Sequence, residues 1–222
     1  MTLLKNGMFK KNAIKLTIST FLMTPLMVNA ASVSYFLDQS NELADGINYL
    51  QVTISDSTTV TGDIDFSVDV LTSAFNVSPG ANFGIQSFSF NFDETINVAA
   101  TDITNLNPST WTVTENQNAG GGFFKFDLQL DGLGSSRTEL LSFSIAGVDG
   151  DLVTSYATGS ALNPSSGEFF AAHVGGFEST NGFTSAQFAG STPTVVPVPA
   201  ALWLFGSGLI ALFGFTKKKK SL

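Results

Sequence analysis

Few residues in this chain can do chemistry, and their spacing narrows what they could do. His173 is the only histidine among 222 residues, and there is no cysteine. Disulfides, thiolate metal sites and cysteine nucleophiles are excluded, and a histidine-rich zinc site needs more than one imidazole. A Ser-His-Asp triad could be assembled only around His173. That residue sits in the apolar, strand-like run Phe169-Phe-Ala-Ala-His-Val-Gly-Gly-Phe177 with no nucleophile elbow, so a structural histidine is expected. Carboxylates are the abundant alternative: Asp63/Asp65, Asp93/Glu94 and Asp149/Asp151 form close pairs. A glycosidase needs two carboxylates facing each other across a sugar, which spacing along a chain does not establish. Asp149-Gly150-Asp151 offers the hard oxygen ligands that calcium takes, but it lacks the spacing and terminal glutamate of an EF-hand loop. Turn chemistry is its first reading and calcium the alternative. Gly120-Gly121-Gly122 has no Lys-Ser/Thr after it and no helical pattern, so it is no phosphate loop. No catalytic residue and no cofactor are assigned, and the chain is read as a non-enzyme.

The elements that must position these residues read as strands. Ile64, Phe66, Val68 and Val70 alternate with Asp63, Asp65, Ser67 and Asp69. Phe88, Phe90 and Phe92 alternate with Ser87, Ser89 and Asn91; Phe124, Phe126, Leu128 and Leu130 alternate with Lys125, Asp127 and Gln129. Leu50/Val52/Ile54, Leu141/Phe143/Ile145 and the shorter Trp111/Val113 repeat the pattern. Period two buries one face of a strand and wets the other. Turn signals separate the runs at Asp45-Gly46, Pro79-Gly80, Asn107-Pro108, Gly120–Gly122, Asp131-Gly132 and Asp149-Gly150. The expectation is an all-β domain of seven to ten antiparallel strands packed as a β-sandwich, with a jelly-roll variant as the finer alternative. Most of the 21 phenylalanines are then core.

Charge divides the chain into parts. Lys5, Lys10, Lys11 and Lys15 open it and Lys217, Lys218, Lys219 and Lys220 nearly close it. Between them lie all eighteen acids and only Lys125 and Arg137, a net charge of −16 against −8 for the whole chain. Such a surface repels nucleic acid and anionic lipid, and nucleic acid is excluded as a partner.

Residues 1–30 read as a secretory signal peptide. A basic, acid-free start is followed by a mostly apolar stretch from Leu16 to Val28, and Val28-Asn29-Ala30 supplies small residues at −3 and −1. As a helix the apolar stretch spans only ~20 Å, short for a permanent span. Cleavage is expected between Ala30 and Ala31. The acidic β domain follows over 31–189, then a linker at 190–199. An uncharged apolar segment at 200–216 reads as a transmembrane helix, and 217–222 as a basic cytoplasmic tail. The lysines keep that tail inside and leave the domain outside the cytoplasm, on a single span.

The C-terminal segment is also specific in its residues. Val196, Pro197, Val198, Pro199, Ala200, Ala201, Leu202, Trp203, Leu204, Phe205, Gly206, Ser207 and Gly208, then an apolar run and the lysine cluster, resemble the PEP-CTERM sorting signal. The likeness is to the variant with Val-Pro-Leu-Pro-Ala-Ala before Trp-Leu-Phe-Gly-Ser-Gly, and it covers about 25 of the 222 residues. Val198 stands where the name-giving motif has glutamate, which bears on the cleavage position. Pro197 and Pro199 disfavour helix before them and hold an extended segment, the form a protease-like site binds along its backbone. The resemblance implies processing near the Pro motif by an exosortase, a membrane-embedded cysteine transpeptidase-like enzyme of Gram-negative bacteria. It also implies association with exopolysaccharide and biofilm. The runs Trp111-Thr-Val-Thr, Gly122-Phe-Phe-Lys-Phe-Asp, Leu141-Ser-Phe-Ser-Ile and Phe169–Phe177 are similar to ectodomains found before such signals, without adding an activity. The expected function is a sorted, non-catalytic surface or extracellular protein. The alternatives are a carbohydrate-binding module, which exposed aromatics on one sheet would favour, and then a secreted hydrolase with a carboxylate cleft.

Overall fold

A computed structural model describes residues 31–75, 78–159, 167–179 and 181–194. They form an all-β domain of two antiparallel six-stranded sheets. The first sheet holds β1 (Ser32–Leu37), β3 (Leu50–Asp56), β4 (Ile64–Val70), β6 (Ile103–Asn107), β9 (Leu140–Ile145) and β12 (Thr192–Pro193) in the order β12-β1-β3-β4-β9-β6. The second holds β2 (Gln39–Ser40), β5 (Ser78–Phe90), β7 (Thr112–Asn118), β8 (Lys125–Asp131), β10 (Phe170–Glu178) and β11 (Ser185–Gly190) in the order β2-β11-β10-β5-β8-β7. Ten strands have five residues or more, and the two-residue β2 and β12 complete the twelve. Three short 3-10 turns, at Thr72–Ala74, Ala100–Asp102 and Val153–Tyr156, are the helical elements among the described residues. None is long and apolar enough to cross a membrane. The expected transmembrane helix, the sorting motif, the basic tail and Ala30 lie outside the described residues.

Alternation places the core. In β4 the even positions Ile64, Phe66, Val68 and Val70 are buried, while Asp65, Ser67 and Asp69 point outward. The hairpin register sets Ile54 opposite Phe66 and Val52 opposite Val68, and β9 sets Phe143 opposite Phe66 on the other side. The second sheet presents Phe88, Phe90, Leu128, Leu130, Phe170, Ala172, Val174 and Phe188 to the same cluster. Rings cross the gap: Phe66 stacks on Phe143 at 4.6 Å and meets Phe90 of the opposite sheet at 5.2 Å, and Tyr49 meets Phe188 at 4.8 Å. Each such side chain contributes roughly 1.5–3 kcal/mol by leaving water, which is how a domain without disulfides holds together.

Several expectations change at strand ends. Phe124 does not join the buried face of β8; it has a φ of +65° at the hairpin end and stands 54% exposed. Phe92 lies beyond the end of β5, where its N–H donates to the Asp127 carboxylate at 3.1 Å. The start of the expected linker belongs to the sheets: Gly190 ends β11, and Thr192 and Pro193 pair with Phe36 and Tyr35 of β1. A second, smaller cluster of Ala119, Phe126, Ala171 and Ala189 lies apart from the main core. Ala171 and Ala189 face away from Phe170 and Phe188, so the β7–β8 turn covers part of the outer face of the second sheet. Gly120 and Gly121 of that turn rest on the Gln187 side chain.

Candidate functional site

Carboxylates distant in sequence meet at one end of the first sheet. The β3–β4 turn follows Asp56, and the loop after β9 carries Asp149 and Asp151. Pairing of Ile64 with Ile145 brings these two loops side by side. The result is an open cleft of about 570 Å³ lined by Asp56, Asp63, Asp149 and Asp151, with Ser57, Thr61 and glycines between them. Asp149-Gly150 is a turn with Gly150 at φ +79°, as the dipeptide predicts. Asp151 points inward, where its Oδ2 accepts the Tyr156 phenol at 2.5 Å. Burial pushes the Asp151 carboxyl up, the Tyr156 bond opposes this, and the Asp63 and Asp56 charges push it further up. Tyr156 is fully buried against Phe66 and Phe90, so its phenol is pushed up by burial and by the neighbouring carboxylate.

A partly buried acid beside other carboxylates has the composition a glycosidase uses. Here the carboxyl is engaged by Tyr156, and beside the other aspartates the lining consists of Ser57, Thr61, Ile64, Val148 and glycines. Among the described residues no group of three or more carboxylates or histidines is placed to hold a metal ion. Asp65, paired with Asp63 in the sequence, turns to the outer sheet face and accepts Ser144 Oγ at 2.7 Å. Asp93 caps its own turn through the Thr95 N–H at 2.8 Å, and the Thr95 bonds hold its carboxyl below the usual range.

His173 lies on the outer face of the second sheet, in a row with Ser87 and Asp131 on one side and Gln187 on the other. A triad requires histidine between serine and acid; here Ser87 lies between His173 and Asp131. Burial first, then the Arg137 charge, lowers the His173 pKa. The Arg137 guanidinium packs on Gly175, where a side chain would occupy its space, and donates to Gln86 Oε1 at 3.0 and 3.2 Å. His173 is thus half-buried on this face, where burial favours its neutral form. The exposed aromatics among the described residues, Phe124 and Phe183, lie in two different turns. They form no joint platform for stacking a sugar.

Sequence reasoning singled out Asp63, Asp149 and Asp151 but assigned Asp63 to the wrong partner, and it missed Asp56 and Tyr156. The pairing of β4 with β9 makes the cleft, and nothing local in the sequence encodes it. No family model matches the chain, and no curated protein or solved structure matches it either.

Two expected outcomes follow from this geometry. Tyr156→Phe keeps the ring but removes the donor from a partly buried carboxylate; equilibrium unfolding at pH 7 should show a loss of about 1–3 kcal/mol. In an Asp151→Asn background the loss should be smaller, because the neutral amide needs the donor less. The second concerns pH. Asp127, like Asp151, is pushed above the ordinary 3.8, chiefly by burial. At these two groups the folded state therefore binds more protons than the unfolded chain just above pH 3.8, and their contribution to stability falls as pH rises through the folded values, while Asp93, held low, acts in the opposite sense. Thermal melts should show a more favourable contribution from these two carboxyls near pH 4.5 than at pH 7, and Asp127→Asn with Asp151→Asn should flatten that part of the profile.

Proposed function

We propose that this protein is an exported, non-catalytic surface or extracellular component, sorted by its C-terminal PEP-CTERM-type signal and working in the exopolysaccharide or biofilm matrix. The observation that supports this reading is the C-terminal sequence, Val196 to Gly208 followed by an apolar run and Lys217 to Lys220, and the strand pairing at the two ends of the described residues is compatible with it. Ala31, the first residue after the expected leader, starts the strand ladder beside Asp56. At the other end of the domain's sequence, the Thr194 N–H donates to Ser34 O at 2.8 Å, three residues along from Ala31. The chain enters and leaves at the same end of the first sheet. Between Thr194 and the apolar segment at 200–216 only five residues remain, at most ~18 Å of chain, and they include Pro197 and Pro199. A linker this short is compatible with processing by a membrane-embedded exosortase-type enzyme. The domain's net charge of −16 keeps it soluble and off anionic lipid. Connections that cross between the sheets from β4 to β5, β8 to β9 and β9 to β10 support a jelly-roll-like reading of the domain.

The test is mass spectrometry of the mature protein from its host, with and without the sorting enzyme. The expected C-terminus lies near Pro197–Ala200 in the wild type and reverts to the intact Lys217–Leu222 tail in the mutant. An intact tail in both strains would make this an ordinary single-span protein and remove the biofilm reading.

A further inference from the structure

The acidic cleft has four carboxylates and no cationic side chain in its lining. The two bases of the domain are elsewhere: Lys125 begins β8, and Arg137 is bound to Gln86 on the second sheet. One backbone nitrogen from outside the lining does bond a carboxylate of the cleft. The Ala31 backbone N lies 2.8 Å from Asp56 Oδ2, and the Asp56 N–H returns a bond to Ala31 O at 2.9 Å. Residue 31 is thereby clamped to residue 56 from both sides, at the open end of the β1–β3 ladder that begins with Ser32 opposite Ser55.

We propose that cleavage of the leader between Ala30 and Ala31 creates an α-ammonium at this nitrogen, and that it docks on Asp56 as the cleft's built-in counter-cation. The inference rests on the export reading given above. Peptide hydrolysis consumes one water, leaving a carboxylate on Ala30 and the ammonium on Ala31. In the precursor the nitrogen offers one neutral donor. After cleavage it offers three donors and a full positive charge at the same point, and charge-assisted bonds of this kind are about twice as strong as neutral ones. The group it bonds is Asp56 at the end of β3; the same cleft is lined further on by Asp63 in the β3–β4 turn and by Asp149 and Asp151 in the loop after β9, the last bonded to Tyr156. A cut one residue earlier leaves an amide at Ala31 and moves the charge out by ~3.5 Å. The site thus reads the position of the cut, and processing stabilises the folded domain in which the precursor's charges repel. A raised amine pKa contributes stability that is complete below the unfolded value near 8 and is lost as pH rises through the folded value.

The experiment uses the processed protein purified from its host in detergent. N-terminal sequencing locates the cut, and acetylation of the N-terminal peptide as a function of pH titrates the α-amine. The expected result is an N-terminus at Ala31 whose amine titrates a few tenths to about one unit above the ordinary 7.7–8.0. The shift should shrink in 1 M salt and in Asp56→Asn, which keeps an acceptor of the same shape. It should persist in Asp69→Asn, a control on the outer sheet face. An amine at its ordinary value, or one indifferent to Asp56→Asn, overturns the proposal and leaves export standing. A cut elsewhere does the same. An intact Met1 end overturns both.

Discussion

Phe66→Ala is expected to lower the unfolding free energy by about 3–5 kcal/mol, the range for truncating a well-packed aromatic. Phe66 stacks on Phe143 within its own sheet, meets Phe90 of the opposite sheet at 5.2 Å and touches Tyr156 at 5.5 Å edge-on. It is 2% exposed, so truncation opens a cavity between the sheets rather than at the rim. The surrounding rings belong to three chain segments, β5, β9 and the Val153–Tyr156 turn, and cannot close on the void together. Urea unfolding followed by Trp111 fluorescence measures the change, because that indole is buried and donates to Ser136 O at 2.8 Å. A midpoint that falls without a change in slope is the expected signature. Phe183→Ala, in an exposed turn, should cost under about 0.5 kcal/mol in the same assay.

Gly176→Ala is expected to cost about 3–4 kcal/mol, through the backbone rather than the core. Gly176 has a φ of +82° and sits where the register of β10 against β5 shifts. A Cβ there would collide with the Asn82 carbonyl oxygen and approach the Asn82 carbonyl carbon and Phe83 Cα to 2.8 Å. Both are main-chain atoms of the neighbouring strand, so relief requires the strands to part. Gly147→Ala separates the two contributions. It has a φ of +74° with open space around it, so it carries the conformational strain alone, about 1 kcal/mol. Equal losses at the two positions would show that the clash is absorbed by local movement.

Local pattern carried the strand interiors, and long-range pairing decided the rest. Ile64 to Val70 read correctly as half-buried because alternation against aspartates leaves one consistent face. Phe124 read as core by the same rule and is exposed, because the rule assumes extended backbone and that residue has a positive φ. β5 was visible only at Ser87–Phe90; its earlier residues include glycines, and irregular pairing with β10 near His173 and Gly175 erases the period. Residues 190–193 looked like linker because Gly, Ser, Thr and Pro signal no strand, yet an edge strand needs only a neighbour, and β1 provides it. The cleft was hidden for a different reason. Asp56 and Asp151 are far apart in the chain, and only the partners of β3, β4 and β9 bring them together.

The pairing of β12 with β1 also fixes how the domain bears tension. The chain leaves Pro193 along the axis of β1 in the antiparallel sense, toward Ser34. A pull on Thr194 in that direction loads the bonds between the two strands in shear, all at once, rather than unzipping them singly. When those two residue pairs slip, the load passes to β11, which has six residue pairs with β10 at the sheet interior. On the proposed reading, in which the leader is removed and the chain is held through its C-terminal segment, a domain anchored at Thr194 feels drag at that seam first. Its lifetime under flow is then set by the rate at which this short clamp gives way, rather than by equilibrium stability.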